Sequence, residues 1–197
     1  MAEIERPLAH LSRTLEWAPP HVAVAHDVLD EAGCQALVQR IESLGPGAAP
    51  ITTAQGFVMR PDIRNNDRVV FDDPMLAQQL FQRLAEAFPA DWGGGWRAVG
   101  MNERFRCYRY RPGHFFAPHL DGAFVRNREE RSKVTVLVYL NTCQGGATRL
   151  CDYDVAITPT PGRALLFQHA VLHEGCPVTS GTKYVARTDV MYRRLSG

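Results

Sequence analysis

Tyr110-Arg111-Pro112-Gly113-His114-Phe115-Phe116-Ala117-Pro118-His119-Leu120-Asp121-Gly122 reads as a turn leading into a short extended segment. In extended backbone, alternate side chains point to one face. His119 and Asp121 therefore project together, and Leu120 points away. A third donor of the same kind, His173, lies far downstream in Leu172-His173-Glu174-Gly175. Two imidazoles and one carboxylate can occupy one face of an octahedral metal ion and leave three positions open. They do not force the closed tetrahedral coordination of four thiolates. A His-x-Asp tripeptide alone is as readily an exposed polar pair at a strand end, so its surroundings decide.

Those surroundings fall into order. Tyr110-x-Pro112-Gly113 precedes the His-x-Asp. Arg131-x-x-x-Thr135-x-x-x-Tyr139-Leu140-Asn141 follows it, and then Gly145-Gly146-x-Thr148. Pro161-Gly162-Arg163-Ala164-Leu165-Leu166-Phe167 comes next, then His173 and Gly181-x-Lys183. Over about residues 100 to 193 the sequence resembles the prolyl 4-hydroxylase-like Fe(II)/2-oxoglutarate-dependent dioxygenases. A collinear set of this length is far more specific than any one motif. The resemblance implies that His119, Asp121 and His173 are the iron ligands and the catalytic centre. It implies a double-stranded β-helix, which is a cupin-like jelly roll. It also implies Fe(II), 2-oxoglutarate as co-substrate, and O2. The expected reaction is hydroxylation of an unactivated C–H bond in a prolyl, peptidyl or small amino-acid-like substrate, with release of succinate and CO2.

The strand pattern agrees with a β fold. Val134, Val136, Val138 and Leu140 share one face of a strand, and Thr135, Leu137 and Tyr139 share the other. The aliphatic face belongs against other elements; the mixed face can line a cavity. In 102–111 one parity carries Arg104, Arg106, Tyr108 and Tyr110. Further short strands fit 148–150, 155–157, 163–168 and 183–192. Many short strands divided by Gly and Pro turns point to a sandwich or jelly roll.

The last of these strands carries the co-substrate signal. Lys183, Val185, Arg187, Asp189 and Met191 share one parity, and Tyr184, Ala186, Thr188, Val190 and Tyr192 the other. If the even face packs on helices, the odd face places two cations and one anion inside. Buried charge is costly unless paired, and a bound dicarboxylate would compensate one cation. The resemblance assigns that cation to Lys183, with Tyr139 donating its phenol hydrogen to the same carboxylate and Tyr110 and Thr148 nearby. Arg187 has the same parity and stays open as the anchor, as a ligand of the other carboxylate, or as a simple ion pair with Asp189. His169 is four residues before His173 without a following glutamate, so the zinc-protease pattern fails; it is read as supporting the site or the core.

Composition bounds the rest. A chain of 197 residues, 45% apolar, suits one domain with a sizeable core. Net charge of +1 gives no strong attraction to nucleic acid or membranes. No apolar run approaches the roughly 20 residues of a membrane span, and the N-terminus lacks a signal-peptide pattern. Five cysteines without paired spacing fit free thiols in a reducing cytoplasm. The expected partner is a small-molecule or peptide substrate.

The whole chain, 1–197, reads as one domain: an N-terminal arm, helices and flap over 1–99, then a jelly-roll core over 100–193. Residues 1–20 form the arm, and 22–28 a short strand. Asp30 caps a helix with a Cys34, Leu37, Val38, Ile41 and Leu44 stripe that stops at Gly45. Asp73-Pro74 opens a second, with Leu76, Leu80, Phe81, Leu84 and Phe88, ended by Pro89 and Gly93-Gly94-Gly95. The fold is thus expected to be mainly β, buttressed by two N-terminal helices. Residues 45–71 read as loop, either a solvated connection or a flap over the metal. Arg64, Arg68, Arg104 and Arg106 would favour an acidic or carboxylate-bearing substrate. Two other classes fit the same residues: a non-catalytic cupin-like metal- or ligand-binding sensor, and a zinc hydrolase.

Overall fold

The computed structural model describes residues 2–10 and 20–195; positions 11–19 of the expected arm lie outside the described residues. The N-terminal half supplies β1 (Ile4–Glu5), β2 (Val22–Ala25), α1 (Glu31–Ser43), β3 (Gly47–Ala48), β4 (Ile51–Thr53), β5 (Gly56–Val58), β6 (Asp67–Asp72), α2 (Pro74–Arg83), β7 (Asp91–Gly93) and β8 (Trp96–Met101). The elements of the C-terminal half are, among the described residues, strands: β9 (Arg104–Tyr110), β10 (Phe116–His119), β11 (Glu130–Tyr139), β12 (Gln144–Gly145), β13 (Thr148–Leu150), β14 (Val155–Ile157), β15 (Ala164–Gln168), β16 (His173–Gly175), β17 (Val178–Ser180) and β18 (Lys183–Arg194).

The large antiparallel sheet runs β1-β2-β15-β11-β18-β9-β6-β3, with β8 pairing the far end of β18 and β7 pairing β8. The small sheet is β10-β16-β13-β14. The parity of β11 sorts its side chains into two cores. Val134, Val136, Val138 and Leu140 join Cys34, Leu37, Ile41, Leu80, Ala186 and Val190 between the large sheet and the helices. Leu137 and Tyr139 join Tyr108, Tyr110, Leu150, Leu165, Phe167 and Val185 between the two sheets. This is a jelly-roll arrangement, mainly β with two helices among the described residues.

Both helices start at aspartate caps. Asp30 Oδ1 accepts from Gly33 N–H at 2.8 Å, and Asp73 Oδ1 accepts from Leu76 N–H at 2.9 Å. Each bond satisfies an amide that the first helical turn leaves free. Differences from expectation concentrate in the N-terminal half. Helix α2 stops at Arg83 rather than running to Phe88; Leu84 and Phe88 are buried from the turns that follow. Leu44, expected in the α1 stripe, is half exposed. The expected loop over 45–71 contains the β4–β5 hairpin and ends in β6, which pairs with β9 from Asp67↔Arg109 to Asp72↔Arg104. Strands β1, β2, β3, β6, β7 and β8 of the large sheet therefore all come from the N-terminal half.

One connection depends on a missing Cβ. Gly162, at φ +74°, has its carbonyl bonded by Val28 N–H at 2.8 Å, and a Cβ there would lie 2.2 Å from the Leu29 oxygen. Only glycine tolerates both the left-handed backbone and that approach.

Candidate active site

The metal candidates are assembled by strand register. His119 ends β10 and His173 begins β16, and the two are direct antiparallel partners. Asp121 lies two residues past β10, where its N–H bonds the His169 carbonyl at 3.2 Å. One donor atom from each of His119, Asp121 and His173 lies within 4.8 Å of the others. Leu120 points out and is exposed.

Both imidazoles are oriented by the backbone. The Nδ1–H of His119 donates to Ala117 O at 2.8 Å, and that of His173 to Val171 O at 3.0 Å. That tautomer leaves each Nε2 lone pair free, and both Nε2 atoms face Asp121, at 4.0 Å from Oδ1 and 3.7 Å from Oδ2. Phe116 stacks on His119 at 3.5 Å and Phe167 packs beside His173 at 4.4 Å between ring centroids. Burial, with His173 adjacent, pushes His119 down to about 4, and burial lowers His173 as well. Both rings are therefore neutral at pH 7, the form that binds a metal. Burial alone would raise Asp121, but Arg187 and then the two histidines hold its carboxyl well below the usual range.

Asp121 has further supports that the sequence did not disclose. Thr135 Oγ1 donates to Asp121 Oδ2 at 2.6 Å. With that hydrogen committed, Thr135 Oγ1 accepts from His169 Nδ1–H at 3.0 Å, and His169 Nε2 accepts from Ser132 Oγ–H at 2.8 Å. On the other side Arg187 Nη2 lies 3.2 Å from Asp121 Oδ1 and 3.2 Å from Asp189 Oδ1. His169 thus supports the site through a threonine. No motif encodes this chain of bonds, because it depends on the register between β11 and β15.

The cavity between the sheets runs from the triad to Lys183. Tyr108, Tyr110, Phe116, Leu137, Thr148, Gly175, Val185 and Arg187 complete its lining. Register explains the grouping: Lys183 is opposite Tyr110, Val185 opposite Tyr108, and Arg187 opposite Arg106. Lys183 is 2% exposed and its Nζ donates to Gly146 O at 2.6 Å. Tyr110 and Tyr139 rings lie 5.0 and 5.6 Å from it. Among the described residues no carboxylate lies within ion-pair distance of Lys183, and burial pushes it down to about 8.

Two expectations need refinement. The Tyr139 hydroxyl donates to Thr148 Oγ1 at 2.8 Å, and of the two it is Thr148 that lines the cavity. Arg187 is already matched by two carboxylates, whereas Lys183 is not. Arg104, one of four arginines considered for substrate, is turned outward and pairs with Asp72 at 3.1 Å.

The donor set fits iron(II). It has two neutral imidazoles and one carboxylate on one side, no thiolate among them, and open space on the other. Residues 105–188 match the 2OG-Fe(II) oxygenase superfamily. No curated protein matches the sequence. Among solved structures, the viral collagen prolyl hydroxylase of Paramecium bursaria Chlorella virus-1, in its 2OG complex, is similar with a TM-score of 0.63 and 18% identity. That likeness covers 89% of this chain and 97% of the viral one. A Pseudomonas putida prolyl-4-hydroxylase is similar with a TM-score of 0.61 and 20% identity, covering 90% and 94%. A Trichoplax adhaerens prolyl hydroxylase, in complex with a hypoxia inducible factor oxygen degradation domain peptide fragment, gives 0.63 and 20%, covering 89% and 84%. These neighbours establish the fold, and the matched segment, 105–188, contains all three residues of the triad together with Lys183. The chain has the fold of the prolyl 4-hydroxylases, its residues 105–188 are similar to the 2OG-Fe(II) oxygenase superfamily, and its His119–Asp121–His173 triad fits the iron(II) that such oxygenases use.

Proposed function

We propose that this dioxygenase hydroxylates an unactivated C–H bond of a prolyl, peptidyl or small amino-acid-like substrate, acting as a single domain over 1–197. The observation that carries the reading is one cavity with two ends: a complete His119–Asp121–His173 set, and a buried lysine with no carboxylate partner among the described residues. Iron(II), 2-oxoglutarate and O2 together supply the oxidant for such a bond, with release of succinate and CO2.

In this reading the chain's own residues bind, orient and exclude water. His119 and His173 offer Nε2 because their Nδ1–H groups are held by backbone carbonyls. Thr135 and Arg187 fix the rotation of the Asp121 carboxylate. Lys183 receives the distal carboxylate of 2-oxoglutarate, and Thr148, oriented by Tyr139, adds a hydroxyl beside it. Tyr110 closes the same end. Leu137 and Val185 keep the space between them apolar, which strengthens each charged contact. The structural neighbours include prolyl hydroxylases, one with a peptide bound, which supports a prolyl or peptidyl substrate. The β4–β5 hairpin, with Phe57 72% exposed, is the candidate flap. A cytoplasmic location fits five unpaired cysteines.

A non-catalytic binding protein would not require the unmatched Lys183 alongside a full ligand set. The test is anaerobic titration of metal-free protein with iron(II) and 2-oxoglutarate, following the visible charge-transfer band of the chelate. The band is expected in the native protein, lost in His119→Ala and weakened in Lys183→Ala. Divalent metal binding without the band would overturn the reading.

A further inference from the structure

Arg64 lies just before β6 and is 5% exposed. Its guanidinium is sandwiched between the Tyr108 ring, at 4.6 Å, and the Phe116 ring, at 4.4 Å, and both rings line the active-site cavity. Its Nε donates to Asn66 Oδ1 at 2.7 Å, but its Nη2 is buried with no acceptor. The two rings and one amide oxygen compensate only part of the charge. A buried donor on a charged group is costly to leave unmade.

Arg64 has company of the same sign. Arg68 is opposite Tyr108 across the β6–β9 ladder, so it lies on the inner face of the large sheet. Arg106, on β9 opposite Arg187, shares that face. Burial lowers Arg68, as do Arg64, Arg106 and Arg187 around it. Four guanidinium groups thus gather beside the triad, and among the described residues two carboxylates meet them. Asp121 and Asp189 contact Arg187, and Asp189 also lies 3.4 Å from Arg106. Among the described residues, Arg64 and Arg68 have no ion-pair partner. A divalent metal adds positive charge to the same place. The 2-oxoglutarate and Asp121 charges are needed for the metal and Lys183, so this excess is left for another anion.

We propose that the primary substrate carries a free carboxylate, as an amino acid or N-acylated amino acid does, and that Arg64 receives it with Arg68 and Arg106 alongside. This rests on the reading that the triad holds iron and Lys183 holds 2-oxoglutarate, and it selects the amino-acid-like class over an internal residue of a peptide. Arg64 then acts as a substrate clamp. Its sandwich between two cavity-lining rings fixes the plane of the fork, and its Nη2 is a buried donor without an acceptor among the described residues. Phe57, 5.9 Å from Arg68 in the hairpin, would cover the bound acid.

The probe is a mixed set of N-acetyl-L-amino acids and the same set as carboxamides. Each is titrated into manganese(II)-loaded protein with 2-oxoglutarate present, and paramagnetic broadening of the acetyl methyl signals reports approach to the metal. Carboxylates are expected to be broadened at concentrations at least about tenfold below the amides. Arg64→Gln and Arg68→Gln are each expected to weaken the carboxylates by about 10- to 100-fold, the loss of one hydrogen bond to a charged group, with little effect on the amides. Arg68 is only partly buried, so Arg68→Gln carries the test if Arg64→Gln fails to fold. Equal broadening by acids and amides, or none by either, overturns the proposal while leaving the dioxygenase assignment intact. Carboxylates that displace 2-oxoglutarate, rather than binding beside it, also overturn it. Absence of the iron–2-oxoglutarate band in native protein is instead a failure of the underlying reading.

Discussion

Replacing Lys183 with methionine should have two effects of opposite sign. The side chains are close in volume, but methionine removes a charge that the apo fold buries without an anion. Burial pushes the lysine from 10.5 down to about 8, and each tenfold loss of proton affinity is worth about 1.36 kcal/mol. Below pH 8 the charged lysine therefore costs the metal-free fold roughly 3 kcal/mol. The substitution also loses the bond to Gly146 O, worth about 1 to 2 kcal/mol. The variant should be more stable than native metal-free protein by about 1 to 2 kcal/mol at pH 7.

The sign with pH follows from proton counting. Between the folded value and the unfolded one, the unfolded chain holds the extra proton, so the native protein gains stability from this group as pH rises through that window. The variant's advantage is then full below pH 8 and shrinks by roughly 2 kcal/mol by pH 10. Urea unfolding of both proteins at the two pH values, with thiols kept reduced, measures this as a difference, and shared cysteine and tyrosine contributions cancel. The same variant should bind 2-oxoglutarate about 10- to 100-fold more weakly, having lost a charge-assisted contact. A variant less stable than native at pH 7, by a margin independent of pH, would refute the reasoning: Lys183 would then be compensated within the fold.

Thr135→Val removes the donor to Asp121 Oδ2 and the partner of His169; iron(II) affinity, measured by chelator competition, should fall about 10- to 100-fold and recover in Thr135→Ser. Unchanged affinity would mean that the hydroxyl does not orient the carboxylate. Gly162→Ala forces a Cβ to 2.2 Å from Leu29 O at positive φ, and urea unfolding should show a loss above about 3 kcal/mol. Asp73→Ala removes the α2 cap and the 2.5 Å partner of Arg40, and the same assay should show a loss of about 1 to 2 kcal/mol.

Much of this architecture is legible in the sequence because strand parity is a local property. The alternation in Val134–Leu140 assigns each side chain to one of two cores, and the structure keeps the assignment. The odd face of β18 likewise reads as a row of charges pointing inward. The aspartate caps mark both helix starts, since a cap is a contact within three residues. What escapes is whatever depends on register between distant strands. Strand β6 is hidden because its first residues continue a polar run, and only its pairing with β9 makes it a strand. The Thr135–His169 bridge and the burial of Arg64 are invisible for the same reason. Each residue is unexceptional in sequence and acquires meaning from a neighbour more than 30 positions away. Helix α2 ends early because Leu84 and Phe88 find burial from turns, so the apolar spacing continues where the helix does not.

The two ends of the cavity differ in mechanical character. The floor that carries Lys183 and Arg187 belongs to β18, a 12-residue strand laddered on both sides by β11 and β9. The metal end rests on β10 and β16, strands of 4 and 3 residues whose register breaks between Phe116 and His119. Short, interrupted ladders open locally at lower free energy than central ones. Amide hydrogen exchange should therefore find the β18 floor slow with or without metal, and the histidine wall fast until an ion closes it. The ion in such a site completes a fold that the chain alone leaves loose on one side, and depletion of iron would soften that wall while the rest of the sheet stays shut.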